Sequence, residues 1–198
     1  MRKRLALFDF DGTITTKDSF LEFIKYSRGV GKYYFGMAIM SPILIAFKLK
    51  LIPNWKAKEA VITYFFKNIN YNDFQNLCHS FSREVIPSLL KSDALIALDE
   101  HINKGDDVFL VSASAENWLK DWCELKGIKL IGTKLEIING NISGKLSGHN
   151  CYGQEKVNRV CQAIDLDDYD KVFVYGDSSG DKQMLGIATD PHYRFFKG

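Results

Sequence analysis

Residues 5–13 read LALFDFDGT. Leu5 to Phe8 are apolar without alternation, the pattern of a short strand covered on both faces, and the run ends at once in Asp9, Asp11 and Gly12. Two carboxylates this close behind a buried run need a compensating cation. Two further buried strands are predicted at 107–111 (DVFLV) and 171–175 (KVFVY), with a shorter one at 129–131. The first runs into Ser112, Ala113 and Ser114, the second into Gly176, Asp177, Ser178, Ser179, Gly180 and Asp181. Helical spacing lies between them at 115–125 and 155–164, and Gly153 to Lys156 (GQEK) opens the second of these helices. Strands alternating with helices imply an α/β fold, a Rossmann-like parallel sheet with helices on both faces. Ligands of such sheets bind at the carboxyl ends of the strands. All four polar groups lie at a strand end or a helix start.

Residues 15–104 break the alternation. Helical patterns are predicted at 20–27, 32–50 with a break near Pro42, 53–67, 72–85 and 88–103, with Ser19 to Glu22 (SFLE) as a capping box and Pro53 and Pro87 at helix starts. The block reads as an all-helical cap (15–104) inserted into a core made of 1–14 and 105–198. A hairpin is predicted from 134–138 and 142–146 around Asn139, Gly140 and Asn141, a last helix at 181–188, and an edge strand at 193–196.

With 46% hydrophobic and 25% charged residues in a chain of 198, disordered and fibrous classes are excluded. The net charge of +2 gives no sign of a nucleic-acid partner. Cys78, Cys123, Cys151 and Cys161 form no CxxC pair and read as reduced, packed thiols, while His79, His101, His149 and His192 show no ligand spacing. The opening MRKR resembles a signal peptide until Asp9 and Asp11 interrupt it, so a cytoplasmic protein is expected. Charge is uneven: residues 14–67 carry 9 Lys and Arg against 3 Asp and Glu, and residues 68–198 carry 14 against 19. The basic part holds the most apolar run, 33–47 (YYFGMAIMSPILIAF), whose 15 residues fall short of the ~20 of a spanning helix. A buried cap helix is the expected reading. Peripheral contact with an anionic membrane, the cap helix lying on the lipid, is the alternative.

A DxDxT run (Asp9 to Thr13), a strand-end Ser112, a helix-initial Lys156 and a GDxxxD run (Gly176 to Asp181), in that order, resemble the haloacid dehalogenase superfamily, and within it the phosphoserine-phosphatase-like branch with a helical cap. The resemblance implies a Mg²⁺-dependent phosphomonoesterase acting on a small phosphorylated metabolite through an aspartyl-phosphate. It makes Asp9 the nucleophile and Asp11 the general acid and base. Asp9, Asp177 and the backbone carbonyl of Asp11 would hold the metal. Thr13, Ser112, Ala113 and Lys156 would bind phosphate, Asp181 would orient Lys156 or a metal-bound water, and Gly12 would permit the turn. Ser114 is expected to cap the following helix. A phosphate ester resists attack by anions, and such a set of charges addresses that problem.

Several positions depart from the pattern. Asp18 stands where phosphoserine phosphatases carry a Glu. The cap offers Lys56 and Lys58 where an Arg is usual, and neither reproduces the guanidinium fork. Gly180 replaces an Asn and Ala113 a Gly. Asp18, Lys56 and Lys58 are therefore the candidates for substrate specificity. The run 151–157 (CYGQEKV) and the basic apolar cap also resemble bacterial phosphatidylglycerophosphate phosphatases, which are membrane-associated. A lipid headgroup phosphate is thus an alternative substrate, and transfer of the phosphoryl group to an alcohol an alternative reaction. A silent binding protein that has kept the pocket is the reading from another class, against which the complete motif set stands. A dehalogenase has no need of Asp11.

Overall fold

The computed structural model describes residues 3–197. Its central strand is β1 (Arg4–Phe8), in which Leu5 to Phe8 are fully buried. β1 pairs in parallel with β2 (Asp107–Ala115) on one side and β6 (Lys171–Gly176) on the other, so that Leu5 faces both Asp107 and Val172. β3 (Lys129–Thr133) and β7 (Asp190–Tyr193) complete a five-stranded sheet in the order β3-β2-β1-β6-β7, parallel throughout. Side chains of a strand point alternately to its two faces. Ala6 and Phe8 therefore join one core, with Leu98 of α6 (Ser92–Asn103) and Trp118 of α7 (Glu116–Lys126), while Leu5 and Leu7 join a second, with Val160 of α8 (Gln154–Ala163) and Met184 of α9 (Lys182–Leu185). This is the expected α/β architecture.

The helical insert follows β1: α1 (Ser19–Arg28), α2 (Val30–Lys48), α3 (Asn54–Phe66), α4 (Tyr71–Glu84) and the single turn α5 (Ile86–Leu89). Phe23 is its hub, with ring centroids 5.0 Å from Trp118, 5.3 Å from Phe66, 5.5 Å from Phe74 and 5.3 Å from Phe81. The insert thus shares its aromatic core with α7 on the sheet. A hairpin of β4 (Leu135–Ile138) and β5 (Asn141–Leu146) turns through Asn139 and Gly140, both at positive φ as an Asn-Gly turn requires. It lies against α3, where the Thr63 hydroxyl donates to Gly144 O at 3.1 Å and Leu146 N donates to Glu59 at 3.0 Å.

The structure corrects several local expectations. α1 is capped by Asp18, whose carboxylate accepts from Leu21 N at 3.0 Å, and Glu22 turns instead to Lys25 at 2.6 Å. Pro42 does not break α2. Proline lacks the N–H that would meet the carbonyl four residues back, and the neighbouring Ser41 hydroxyl donates to that carbonyl, Ala38 O, at 2.7 Å. Nor is α2 buried as a whole: Tyr33 and Gly36 are buried, Met37, Met40 and Leu44 are half-buried against the core, and the opposite face is exposed. The helix expected over 88–103 is split, because Leu90 bridges to Thr15 and Lys91 N donates to Ile14 O, tying the two ends of the insert together. β2 runs on to Ala115, with an irregularity after Val111. The last strand comes three residues early, leaving Phe196 free to pack on Tyr175 and Phe8. Cys161 is exposed, whereas the other three cysteines are buried as expected.

Candidate active site

The carboxyl ends of β1, β2 and β6 and the first turn of α8 meet at one point of the sheet edge. Asp9, the residue after β1, is buried. Its Oδ1 accepts from Lys156 Nζ at 2.5 Å, and its Oδ2 lies 3.2 Å from the Thr13 hydroxyl, which is also 3.3 Å from Asp177 Oδ1. Lys156 is 1% exposed and bridges Asp9 to Asp181, Nζ to Oδ1 2.6 Å. Burial works against a charged lysine, but the two carboxylates outweigh it and hold the proton above the ordinary range. Burial also pushes the Asp9 carboxyl up to about 7, with the charges of Asp181 and Asp11 adding and Lys156 opposing. Asp177 is raised as well, by burial and then by Asp181. Asp181 moves the other way: burial would raise it, yet Lys156 and the Ser178 hydroxyl (2.7 Å) and amide (3.0 Å) keep it below the usual carboxylate range.

Asp11 points away from this cluster. Its two oxygens accept from Ser19 N at 2.6 Å and from the Ser114 hydroxyl at 2.5 Å. Ser114 was expected to cap α7. It serves the insert instead, since its hydroxyl also sits 3.1 Å from Ser19 Oγ, to which Trp118 Nε1 donates at 3.3 Å. Ser112 is fully buried, and its hydroxyl accepts from Ser114 N at 3.0 Å. The carbonyl of Ala113 accepts from Lys58 Nζ at 2.8 Å and from the Thr133 hydroxyl at 2.7 Å.

Two glycines are required by contact. A Cβ on Gly12, at φ 84°, would stand 2.5 Å from Asp177 Oδ2, so β1 and β6 close on each other only through glycine. A Cβ on Gly180 would fall 2.3 Å from the Tyr152 ring, and the Tyr152 hydroxyl lies 3.1 Å from Ser179 Oγ. An Asn at 180 has no room beside this tyrosine.

Of the specificity candidates, the structure brings Asp18 and Lys58 to the rim and leaves Lys56 out. Two residues apart on a helix means about 200° around its axis. Lys58 faces the site, where desolvation lowers its proton affinity and the charges of Asp11 and Asp18 oppose that. Lys56 stands exposed over the Trp55 ring, 5.5 Å from its centroid. Three contributors escaped the sequence reading. Lys91 Nζ donates to Gly12 O at 2.7 Å, Asn150 joins Lys58 at 3.2 Å and Asn54 at 3.0 Å, and Tyr152 covers Gly180. A cavity of ≈ 710 Å³ opens beside Asn150 and Tyr152, lined by Asn54, Trp55, Glu59 and His149 among others.

Carboxylate oxygens of Asp9, Asp177 and Asp181 lie within 4.8 Å of one another, a group able to hold a metal ion. The resemblance assigns the metal to the carboxylates of Asp9 and Asp177 and to the backbone carbonyl of Asp11. The Asp181 carboxylate joins the other two in the cluster, but its oxygens are already engaged by Lys156 and Ser178. The set suits a hard divalent cation: every donor is oxygen, and three carboxylates converge where, among the described residues, Lys156 is the one ammonium that bonds to them.

The family model for haloacid dehalogenase-like hydrolases matches residues 6–186. Protein CicA of Caulobacter vibrioides is 36% identical over 196 residues, spanning 98% of this chain and 87% of CicA. A histidinol-phosphatase of Neisseria meningitidis is 24% identical, covering 96% of this chain and 89% of its own. Among solved structures, a Bordetella pertussis protein of unknown function superposes with TM-score 0.84 at 24% identity, over 96% of this chain and 89% of that one. A phosphoserine phosphatase captured as its phospho-aspartyl intermediate analogue gives TM-score 0.63 at 19% identity, over 96% and 86%. The fold is therefore that of the phosphoserine phosphatases with a helical insert, and the chain belongs to the haloacid dehalogenase-like hydrolase family.

Proposed function

We propose that this protein is a Mg²⁺-dependent phosphomonoesterase that works through an aspartyl-phosphate on a small phosphorylated metabolite. The observation that carries the reading is the division of labour between two carboxylates two residues apart. Asp9 is buried against Lys156, whereas Asp11 is held apart by Ser19 and Ser114. Mg²⁺, held by Asp9, Asp177 and the Asp11 carbonyl, would neutralise charge on the phosphoryl oxygens. Lys156 and Thr13 orient the Asp9 carboxylate for in-line attack on phosphorus, and with Ser112 they donate to the phosphoryl group. As the ester P–O bond breaks, the Asp11 carboxyl gives its proton to the leaving alkoxide. The resulting carboxylate then takes a proton from the water that attacks the aspartyl-phosphate, which frees inorganic phosphate and restores Asp9. Lys58 and Asp18, at the rim beside Asp11, face the organic part of the substrate.

Purified protein should release phosphate from an aryl phosphate in Mg²⁺. Excess chelator should abolish this and added Mg²⁺ restore it, while Ca²⁺, whose coordination is larger and looser, should inhibit. Acid quenching during turnover should trap an acyl phosphate on the chain. Undiminished hydrolysis in chelator would refute the reading.

The hydrogen bonds on Asp11 supply a second test. Ser114→Ala removes one of them and is expected to cut kcat about tenfold with little change in KM, because Asp11 is needed in the transition state more than for binding. An unchanged kcat would show that Ser19 alone suffices.

A further inference from the structure

α2 is apolar by sequence yet largely uncovered. Tyr34, Phe35, Ile39 and Ile45 are 64, 68, 46 and 55% exposed, and Leu49 and Leu51 carry the surface beyond the helix end at 65 and 74%. Positions 34, 35, 38, 39, 42, 45 and 49 form one stripe along the helix. A continuous apolar stripe of this length in water calls for a partner.

The charges beside it say what kind. No Asp or Glu occurs between Glu22 and Glu59, while exposed Lys32 stands at the first turn of α2, exposed Lys48 ends its last and exposed Lys50 follows two residues on. We propose that this stripe rests in the interfacial layer of an anionic lipid bilayer, with the three lysines among the headgroups. A second copy of the chain is the poorer occupant. Two such stripes packed about a twofold axis would bring lysines against lysines whichever way the helices ran.

α2 lies on the bilayer and does not cross it. Its 19 residues make about 28 Å, close to the hydrocarbon thickness. Both ends, however, are held to one side. Arg28, just before α2, donates to Phe65 O at 2.7 Å, and Gly36 is so close to α3 that a Cβ there would stand 2.3 Å from the Phe65 ring. At the far end only residues 49–53 separate α2 from Asn54, whose side-chain oxygen accepts from Asn150 at 3.0 Å. Five residues cannot return across a bilayer. A helix lying in the plane of the interface, one face packed on the protein and the apolar stripe toward lipid, is the geometry that remains.

Cosedimentation of the intact protein with phosphatidylcholine vesicles, with and without phosphatidylglycerol, tests this. Binding is read without turnover, so it stands apart from the hydrolytic reading. The protein should pellet with the anionic vesicles only, and added salt should release it. Lys32→Gln, Lys48→Gln and Lys50→Asn should each weaken binding about fivefold, the equivalent of ~1 kcal/mol per cation near the surface. Phe35→Ser with Ile39→Ser should abolish it while leaving circular dichroism and aryl-phosphate hydrolysis intact. Ile39→Trp should fluoresce bluer on binding and be quenched by brominated lipid. Failure to pellet with anionic vesicles at low salt overturns the proposal. So does binding that these variants leave unchanged, which would place the contact elsewhere. A dimer in solution that Ile39→Ser dissociates, without vesicle binding, would assign the face to a second copy.

Discussion

Asp9→Asn is expected to reduce aryl-phosphate hydrolysis about 10³-fold or more while the protein remains folded. Asparagine keeps an oxygen for Lys156 but cannot form the acyl phosphate. The same variant makes a prediction about stability. In the metal-free protein the Asp9 carboxyl is pushed up to about 7 from an ordinary value of 3.8, chiefly by burial. A raised carboxyl pKa means that the folded chain keeps a proton that the unfolded chain has already released, so folding loses stability as pH rises from about 4 to 7 and bears the full cost above that. Asparagine bears no such cost. In chelator the Tm advantage of Asp9→Asn over the parent should therefore grow between pH 5 and 8, as thermal melts at successive pH values would show. An advantage that shrinks with rising pH would mean that Lys156, and not burial, governs Asp9.

Lys156→Met should be the most damaging single change to the fold. Methionine matches the stem in length and leaves Asp9 and Asp181, 6% and 1% exposed, facing each other without a cation. Removing one member of a buried ionic cluster costs about 3–5 kcal/mol, and hydrolysis should vanish with it. Urea unfolding gives a signature beyond the magnitude. In the parent, Asp181 is held below the usual carboxylate range, so its contribution is lost as pH falls through that low value. Without Lys156, burial and the neighbouring carboxylates raise Asp9 unopposed by that ammonium, and Asp181 keeps only its Ser178 hydrogen bonds against burial, so the variant should regain stability as pH falls from 7 toward 5. Loss that is equal at both pH values would point to packing as the cause.

Sequence disclosed the strands best. LALF, DVFLV and KVFVY are apolar without alternation, and only a two-sided core explains such runs. It also delivered the residues that meet at the site, since Asp9, Ser112, Lys156 and Asp177 each stand at a strand end or helix start. What it could not deliver was direction across the insert. Lys56 and Lys58 look equivalent in sequence, and only the phase of α3 sends one to Asp11 and the other to solvent. Ser114 and Lys91 hold their partners, Asp11 and Gly12, over separations of 103 and 79 residues, beyond any local pattern. α2 misled for a further reason. A helix apolar on all sides carries no phase to mark an outer face, and burial is the ordinary inference from such a helix. Its exposure became visible only once the insert was assembled around Phe23, which covers one face of α2 and leaves the other outside.

The position of β1 bears on how the protein is made. Its neighbours in the sheet begin at Asp107 and Lys171, so β1 is synthesised long before its second edge can be covered. The helices between 19 and 84 pack in part on one another and can begin to collapse early, while a nascent chain that stops short of residue 171 exposes the apolar edge of β1 and holds Asp9 without Lys156's counterpart Asp181. Non-local parallel pairing of this kind folds slowly and leaves sticky edges in the interval. Synthesis of this protein therefore passes through a long window in which its insert is partly formed and its sheet is not, and chaperone demand should fall in that window.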